Sequence, residues 1–154
     1  MQQAKKRILL ADNAKELLDS IIKSKRALPF EIETAATGPT CLEKITTFKP
    51  DLVVVEFMLE GVHGIEILQT IRNTPSVEEA GFILTSYHCL SQNFDSSTLA
   101  RLDYLLEKPF TPDRLFNLIE QYFAGGLKPD PLPSSQKNVK DLPHTKSSLP
   151  SEES

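Results

Sequence analysis

Tryptophan is absent, and cysteine appears only twice, as Cys41 and Cys89. Two cysteines cannot frame a disulfide scaffold and suit a reducing compartment, so the expected location is cytoplasmic. No apolar run reaches the roughly 18 residues that a membrane-spanning helix needs. The N-terminus is basic from Lys5 to Arg7, but the apolar stretch behind it ends at Ala11, too short for a secretion signal. Self-similarity at the spacing of solenoid repeats is missing as well. Nor is there a basic stripe: 17 Lys and Arg face 21 Asp and Glu, a net charge of -4, so direct nucleic-acid binding is not expected. What is present is 154 residues, 40% hydrophobic and 25% charged, which suffices for one ordinary domain with a packed core.

Composition changes after Phe123. Residues 127–154 hold five prolines and six serines, no aromatic residue, and four Lys against four Asp and Glu. Such a segment cannot bury enough surface to offset its ordering entropy. The expected organisation is therefore a folded domain over 1–126 followed by a disordered Pro/Ser-rich tail over 127–154. That tail suits a tether or a docking peptide, and its composition does not choose between them.

Within 1–126, short β-like runs alternate with helical periods. Arg7 to Ala11 (RILLA) and Leu52 to Val55 (LVVV) read as buried strands. Phe30, Ile32 and Thr34 alternate with Glu31 and Glu33, as in a strand near a sheet edge. Phe82 to Leu84 and Tyr104 to Leu106 supply two more strands. Asn13 and Glu16 have the spacing of a helix cap, with Leu17, Leu18, Ile21 and Ile22 on one face behind it. Thr37-Gly38-Pro39 opens a second helix carrying Leu42 and Ile45, and Lys49-Pro50 stops it. Ile65, Leu68 and Ile71 mark a third helix, and residues 91–102 a diluted fourth. Thr111-Pro112-Asp113 opens a fifth helix, with Leu115, Leu118, Ile119 and Tyr122 as its apolar face. Five βα units with short connections make a doubly wound parallel sheet, and ligands of such sheets sit at the carboxyl ends of the strands. Asp12 and Asn13, Glu56, Thr85 and Ser86, and Lys108 occupy those ends. Two acids, a hydroxyl and an ammonium on one rim suit a divalent cation and a phosphoryl group.

These residues resemble the receiver domain of response regulators in two-component phosphorelay signalling. The resemblance runs through Ile8 to Asn13 (ILLADN), Lys49 to Glu56 (KPDLVVVE), Met58 to Gly64 (MLEGVHG), Ile83 to Ser86 (ILTS) and Glu107 to Phe110 (EKPF). It implies a CheY-like, flavodoxin-like fold with strand order 2-1-3-4-5 and a cis peptide at Lys108-Pro109. In the family an aspartate after the third strand takes a phosphoryl group from a histidine kinase. Two acids after the first strand help to bind Mg²⁺, and a Thr or Ser and a Lys contact the phosphoryl oxygens.

The chain departs from that pattern where it matters. Glu56 occupies the phosphoacceptor position, and Asn13 replaces the second acid. The loop after the third strand carries Glu60 and His63-Gly64 in place of the usual Pro and Asp-Gly. Leu105 stands where the aromatic switch residue is usual, with Tyr104 one place earlier, and Leu102-Asp103 replaces the Ala-rich turn. Glutamate reaches about 1.5 Å further than aspartate, and roughly 1 Å of misplacement costs phosphoryl transfer on the order of a hundredfold. Glu56 is therefore expected to pair with Lys108, to accept a hydrogen bond from Thr85, and to act as a partial phospho-mimic. Asp12, Glu56 and the backbone carbonyl of Met58 remain as donors for a weakly held Mg²⁺. No cofactor is required and no catalytic residue is expected. A neutral cluster of Asp12, Glu56 and Lys108 is favoured over a bound cation.

The resulting expectation is a non-enzymatic, stand-alone pseudo-receiver that works as a protein-interaction module. It would present the face made by the fourth helix, fifth strand and fifth helix to a histidine kinase or a separate effector, since no effector motif follows residue 126. The first alternative is an active phosphoacceptor using Glu56 or a neighbour with Mg²⁺. A flavodoxin-type cofactor binder would need a hydroxyl- and Gly-rich loop where Ala11 to Ala14 stand. A haloacid-dehalogenase-type phosphatase would need an aspartate at position 14, which is Ala. His63, His88 and Cys89 do not match a zinc spacing and read as loop residues. Cys41 reads as a small core residue, Tyr87 as a cover for the pocket mouth or a half-exposed loop aromatic, and His144 as a solvated side chain.

Overall fold

The computed structural model describes residues 4–87, 95–125 and 127. Five parallel strands, β1 (Arg7–Ala11), β2 (Glu31–Ala35), β3 (Leu52–Glu56), β4 (Gly81–Ser86) and β5 (Tyr104–Glu107), lie in the order β2-β1-β3-β4-β5. The helices between and after them are α1 (Lys15–Ile22), α2 (Gly38–Phe48), α3 (Gly64–Arg72), α4 (Ser96–Ala100) and α5 (Pro112–Gly125), with a 3-10 turn at Lys25–Ala27. The expected strand order is the observed one. β3 is buried along its whole length, as a β-branched run in the middle of a sheet must be. β2 alternates exposed and half-buried positions up to its buried last residue, Ala35, as suits its edge position.

Two cores flank the sheet. Leu9, Val53, Val55, Phe82 and Leu84 face Cys41 and Ile45 of α2 and Ile67, Leu68 and Ile71 of α3. Ile8, Leu10, Leu52, Val54, Ile83 and Leu106 face Leu18 and Ile21 of α1 and Leu115, Phe116, Leu118 and Ile119 of α5. Successive strand residues point to opposite faces, so each strand feeds both cores in turn. Ile22, expected on the buried face of α1, is exposed, because the helix ends there. Tyr122 and Leu127 pack at the margin of the second core, so apolar contact reaches one residue into the segment read as tail. The rest of that segment, His144 included, and His88, Cys89 and residues 91–94, the start of the span expected to form a fourth helix, lie outside the described residues; that helix is described over Ser96–Ala100.

Helix starts follow local chemistry. Thr37 caps α2 by accepting from the Thr40 amide, and Thr111 accepts from the Arg114 amide at the start of α5. α1 departs from expectation. Its N-cap is Ala14, with no side-chain cap, and Asn13 is used elsewhere. The Lys108-Pro109 peptide is cis.

Candidate functional site

Each functional side chain stands within two residues of the carboxyl end of a strand. β1 delivers Asp12, β3 ends in Glu56, β4 carries Thr85 next to its end, and β5 is followed by Lys108. The ladder sets Ala11 beside Val55 and Glu56 beside Thr85, which brings the four ends to one rim.

Asp12, Glu56 and Lys108 are 5%, 5% and 6% exposed, so three ionised groups are buried together. The Lys108 ammonium donates to Asp12 Oδ2 and to Glu56 Oε1, both at 2.7 Å. Asp12 Oδ1 accepts from the Ala14 amide at 2.8 Å, and Glu56 Oε2 accepts from the Met58 amide at 2.9 Å. All four carboxylate oxygens therefore have a donor, as buried charges require. Burial alone would lower the Lys108 pKa. The hydrogen bonds and charges of Asp12 and then Glu56 outweigh it, and the ammonium is held above the ordinary lysine value. Tyr87 lays its ring over the ammonium, 4.6 Å from Nζ to the ring centroid, while remaining 59% exposed. It covers the mouth. A separate small hollow on the α1 side of the sheet, lined by Leu10, Asp12, Leu18, Ile21, Thr85 and Phe110, measures about 10 Å³, room for one water at most.

Two expectations need correction. Thr85 does not bond Glu56: its hydroxyl points back to the Val55 carbonyl at 3.5 Å, a long contact, because the longer glutamate arm spends its oxygens on Lys108 and the Met58 amide. Asn13 is neither a helix cap nor a free cation ligand. Its Nδ2 donates to the Met58 carbonyl at 2.9 Å and its Oδ1 accepts from the Glu60 amide at 2.8 Å. The proposed donor set for Mg²⁺ thus does not fit the ion as it stands. The Asp12 and Glu56 oxygens and the Met58 carbonyl are all engaged within the protein, and one of the two negative charges is already matched by Lys108. Among the described residues, no group of three His, Cys, Asp or Glu side chains could hold a metal.

Tyr104 is buried and turned toward α5, where its hydroxyl accepts from Arg114 Nη2 at 2.8 Å. Leu105 is half-buried against the α2–α3 core. His63, exposed at the N-cap of α3, stands 6.1 Å from the Phe57 ring. The Asn13 bridge and the Met58 amide on Glu56 are what sequence reasoning missed. The only signal was that an amide, unlike a carboxylate, both donates and accepts.

A five-stranded 2-1-3-4-5 sheet with an acid cluster, a strand-end hydroxyl and a Lys-Pro turn on its carboxyl rim defines the CheY-like class of α/β domains. The response regulator receiver domain family model matches residues 8–120, and the chain belongs to that family. It is 28% identical over 109 residues to the alkaline phosphatase synthesis transcriptional regulatory protein PhoP of Bacillus subtilis, covering 70% of this chain and 44% of that protein. It is likewise 28% identical over 109 residues to the response regulator MprA of Mycolicibacterium vanbaalenii, covering 71% and 46%. The chain spans about half the length of the curated relatives it matches. In fold it is similar to the chemotaxis response regulator CheY4 of Vibrio cholerae (TM-score 0.68, 18% identity, 77% of this chain and 98% of that one). It is similar also to the response regulator DrrB, a Thermotoga maritima OmpR/PhoB homologue (TM-score 0.62, 22% identity, 79% and 54%). No helix among the described residues is long and apolar enough to cross a membrane.

Proposed function

We propose that this receiver domain works as a phosphorylation-independent interaction module in two-component signalling, with Glu56 as a built-in, partial stand-in for a phosphoryl group. The observation that carries this reading is the Glu56–Lys108 contact. A carboxylate longer than aspartate reaches the ammonium and holds it at 2.7 Å, with its second oxygen tied to the Met58 amide. The mimicry is incomplete, one negative charge against about two on a phosphoryl group. Thr85, which would complete it, bonds its own neighbouring strand. In this reading the domain is not an enzyme, needs no cofactor, stays in the cytoplasm, and signals by contact with a kinase or effector protein through the α4–β5–α5 face.

Incubation with acetyl phosphate and Mg²⁺, followed by intact-mass analysis, tests it. The expected result is no species heavier by 80 Da that maps to Glu56. Stoichiometric labelling of the unmodified chain would overturn the reading in favour of an active phosphoacceptor.

A further inference from the structure

The β3–α3 loop is held to the β1 end by one exposed side chain, Asn13, which pairs with two backbone groups two residues apart. Its amide nitrogen gives a hydrogen to the carbonyl of Met58 and its amide oxygen takes one from the N–H of Glu60. That is the pairing a neighbouring strand's peptide groups would make, and it continues the β1–β3 ladder past its last pair, Ala11 with Val55.

We propose that the Asn13 carboxamide takes the place of a divalent cation as the bridge between these two loops, so that the rim is closed without metal. The Met58 carbonyl is an acceptor, and only a donor or a cation can bring it to position 13. Aspartate there could accept from Glu60 but would repel the Met58 carbonyl, and a cation would have to lie between them. An aspartate at position 13 would also raise the local balance of Asp12, Glu56 and Lys108 from one net negative charge to two. Asparagine removes both needs at once: it supplies the missing donor and leaves the single surplus charge to the amides of Ala14 and Met58. Asn13 is a positioning residue in this account. The inference does not depend on whether Glu56 takes a phosphoryl group, because its readout is metal-dependent stability and not labelling.

Thermal unfolding of wild type, Asn13→Ala and Asn13→Asp in EDTA and in about 10 mM MgCl₂ decides it, since a cation that binds only the folded state stabilises it by RT ln(1 + [Mg²⁺]/Kd) and so raises Tm. Wild type is expected to move by less than about 1 °C between the two buffers, the shift of a site far from saturation. Asn13→Ala should melt roughly 2–5 °C lower in both, from two lost exposed hydrogen bonds. Asn13→Asp should be the least stable in EDTA and regain roughly 5–15 °C in Mg²⁺. A Mg²⁺ shift in wild type as large as that of Asn13→Asp would overturn the proposal. So would an Asn13→Asp protein indifferent to Mg²⁺, or an Asn13→Ala protein as stable as wild type. If Asn13→Asp does not fold in either buffer, the wild-type and Asn13→Ala results carry the decision.

Discussion

Lys108→Met removes the one cation that joins two buried carboxylates while keeping most of the side-chain volume. Asp12 and Glu56 would then face each other at the bottom of the rim, each left with a single backbone donor. Stranding one buried charge costs about 3–5 kcal/mol, and here one ammonium serves two acceptors at 2.7 Å, so the upper end applies. That is a third or more of the ~5–15 kcal/mol that holds a domain folded. With a urea slope of about 2 kcal/mol/M, the midpoint should fall by roughly 2.5 M. The pH dependence has a definite sign. The Lys108 pKa is raised on folding, so its contribution is complete below the unfolded lysine value and fades only as pH climbs through the higher folded one. Urea melts at pH 7 and pH 9 should therefore give the same gap between wild type and Lys108→Met. Adding Glu56→Gln to Lys108→Met should recover part of the loss by discharging one stranded acid. A gap below about 1 kcal/mol, the size of an exposed pair, or one already closing by pH 9, would refute the buried triad.

Gly64→Ala should destabilise by about 1–3 kcal/mol in a thermal melt, because overpacking beside a fixed backbone is not relieved cheaply. A Cβ there would meet Leu84 Cδ1 at 2.7 Å and the Glu56 carbonyl oxygen at 2.9 Å. Tyr87→Ala should cost only about 0.5–1 kcal/mol at this exposed site, read as a small, salt-sensitive shift in the urea midpoint. Burial pushes the Cys41 thiol up to about 12. In a Cys89→Ser background, iodoacetamide at pH 8 should therefore leave native protein unlabelled and alkylate it stoichiometrically in urea. Native labelling would contradict the burial.

The strands were legible because their signal is local. Arg7 to Ala11 and the Leu52 to Val55 run announce themselves by apolar, β-branched composition, and the strand ends point to the site without further information. Helix ends were legible where a hydroxyl could cap, as at Thr37 and Thr111, and misleading where a polar residue had a distant use. Asn13 looks like a cap from its neighbours alone, yet its partners lie 45 and 47 residues away. Thr85 illustrates the same limit. Its place beside Glu56 follows from the fold, but which of two nearby oxygens its hydroxyl selects depends on how a glutamate arm bends around Lys108. The second faces of α3 and α5, where Ile67 and Phe116 are buried, were also missed, because these helices bury a wider stripe than the residues first chosen.

Glu56 as a fixed partner of Lys108, not a transient carrier, is the claim on which the rest stands. The most direct test is a ¹H–¹⁵N correlation spectrum of the full chain, recorded with and without beryllofluoride and Mg²⁺, a stable phosphoryl analogue. The account predicts amide positions near residues 56–58, 85–87 and 105–108 that do not move with added analogue. Saturable shifts at those positions, spreading into α4 and β5, would show that the carboxylate can release Lys108 and accept a ligand, and would contradict it.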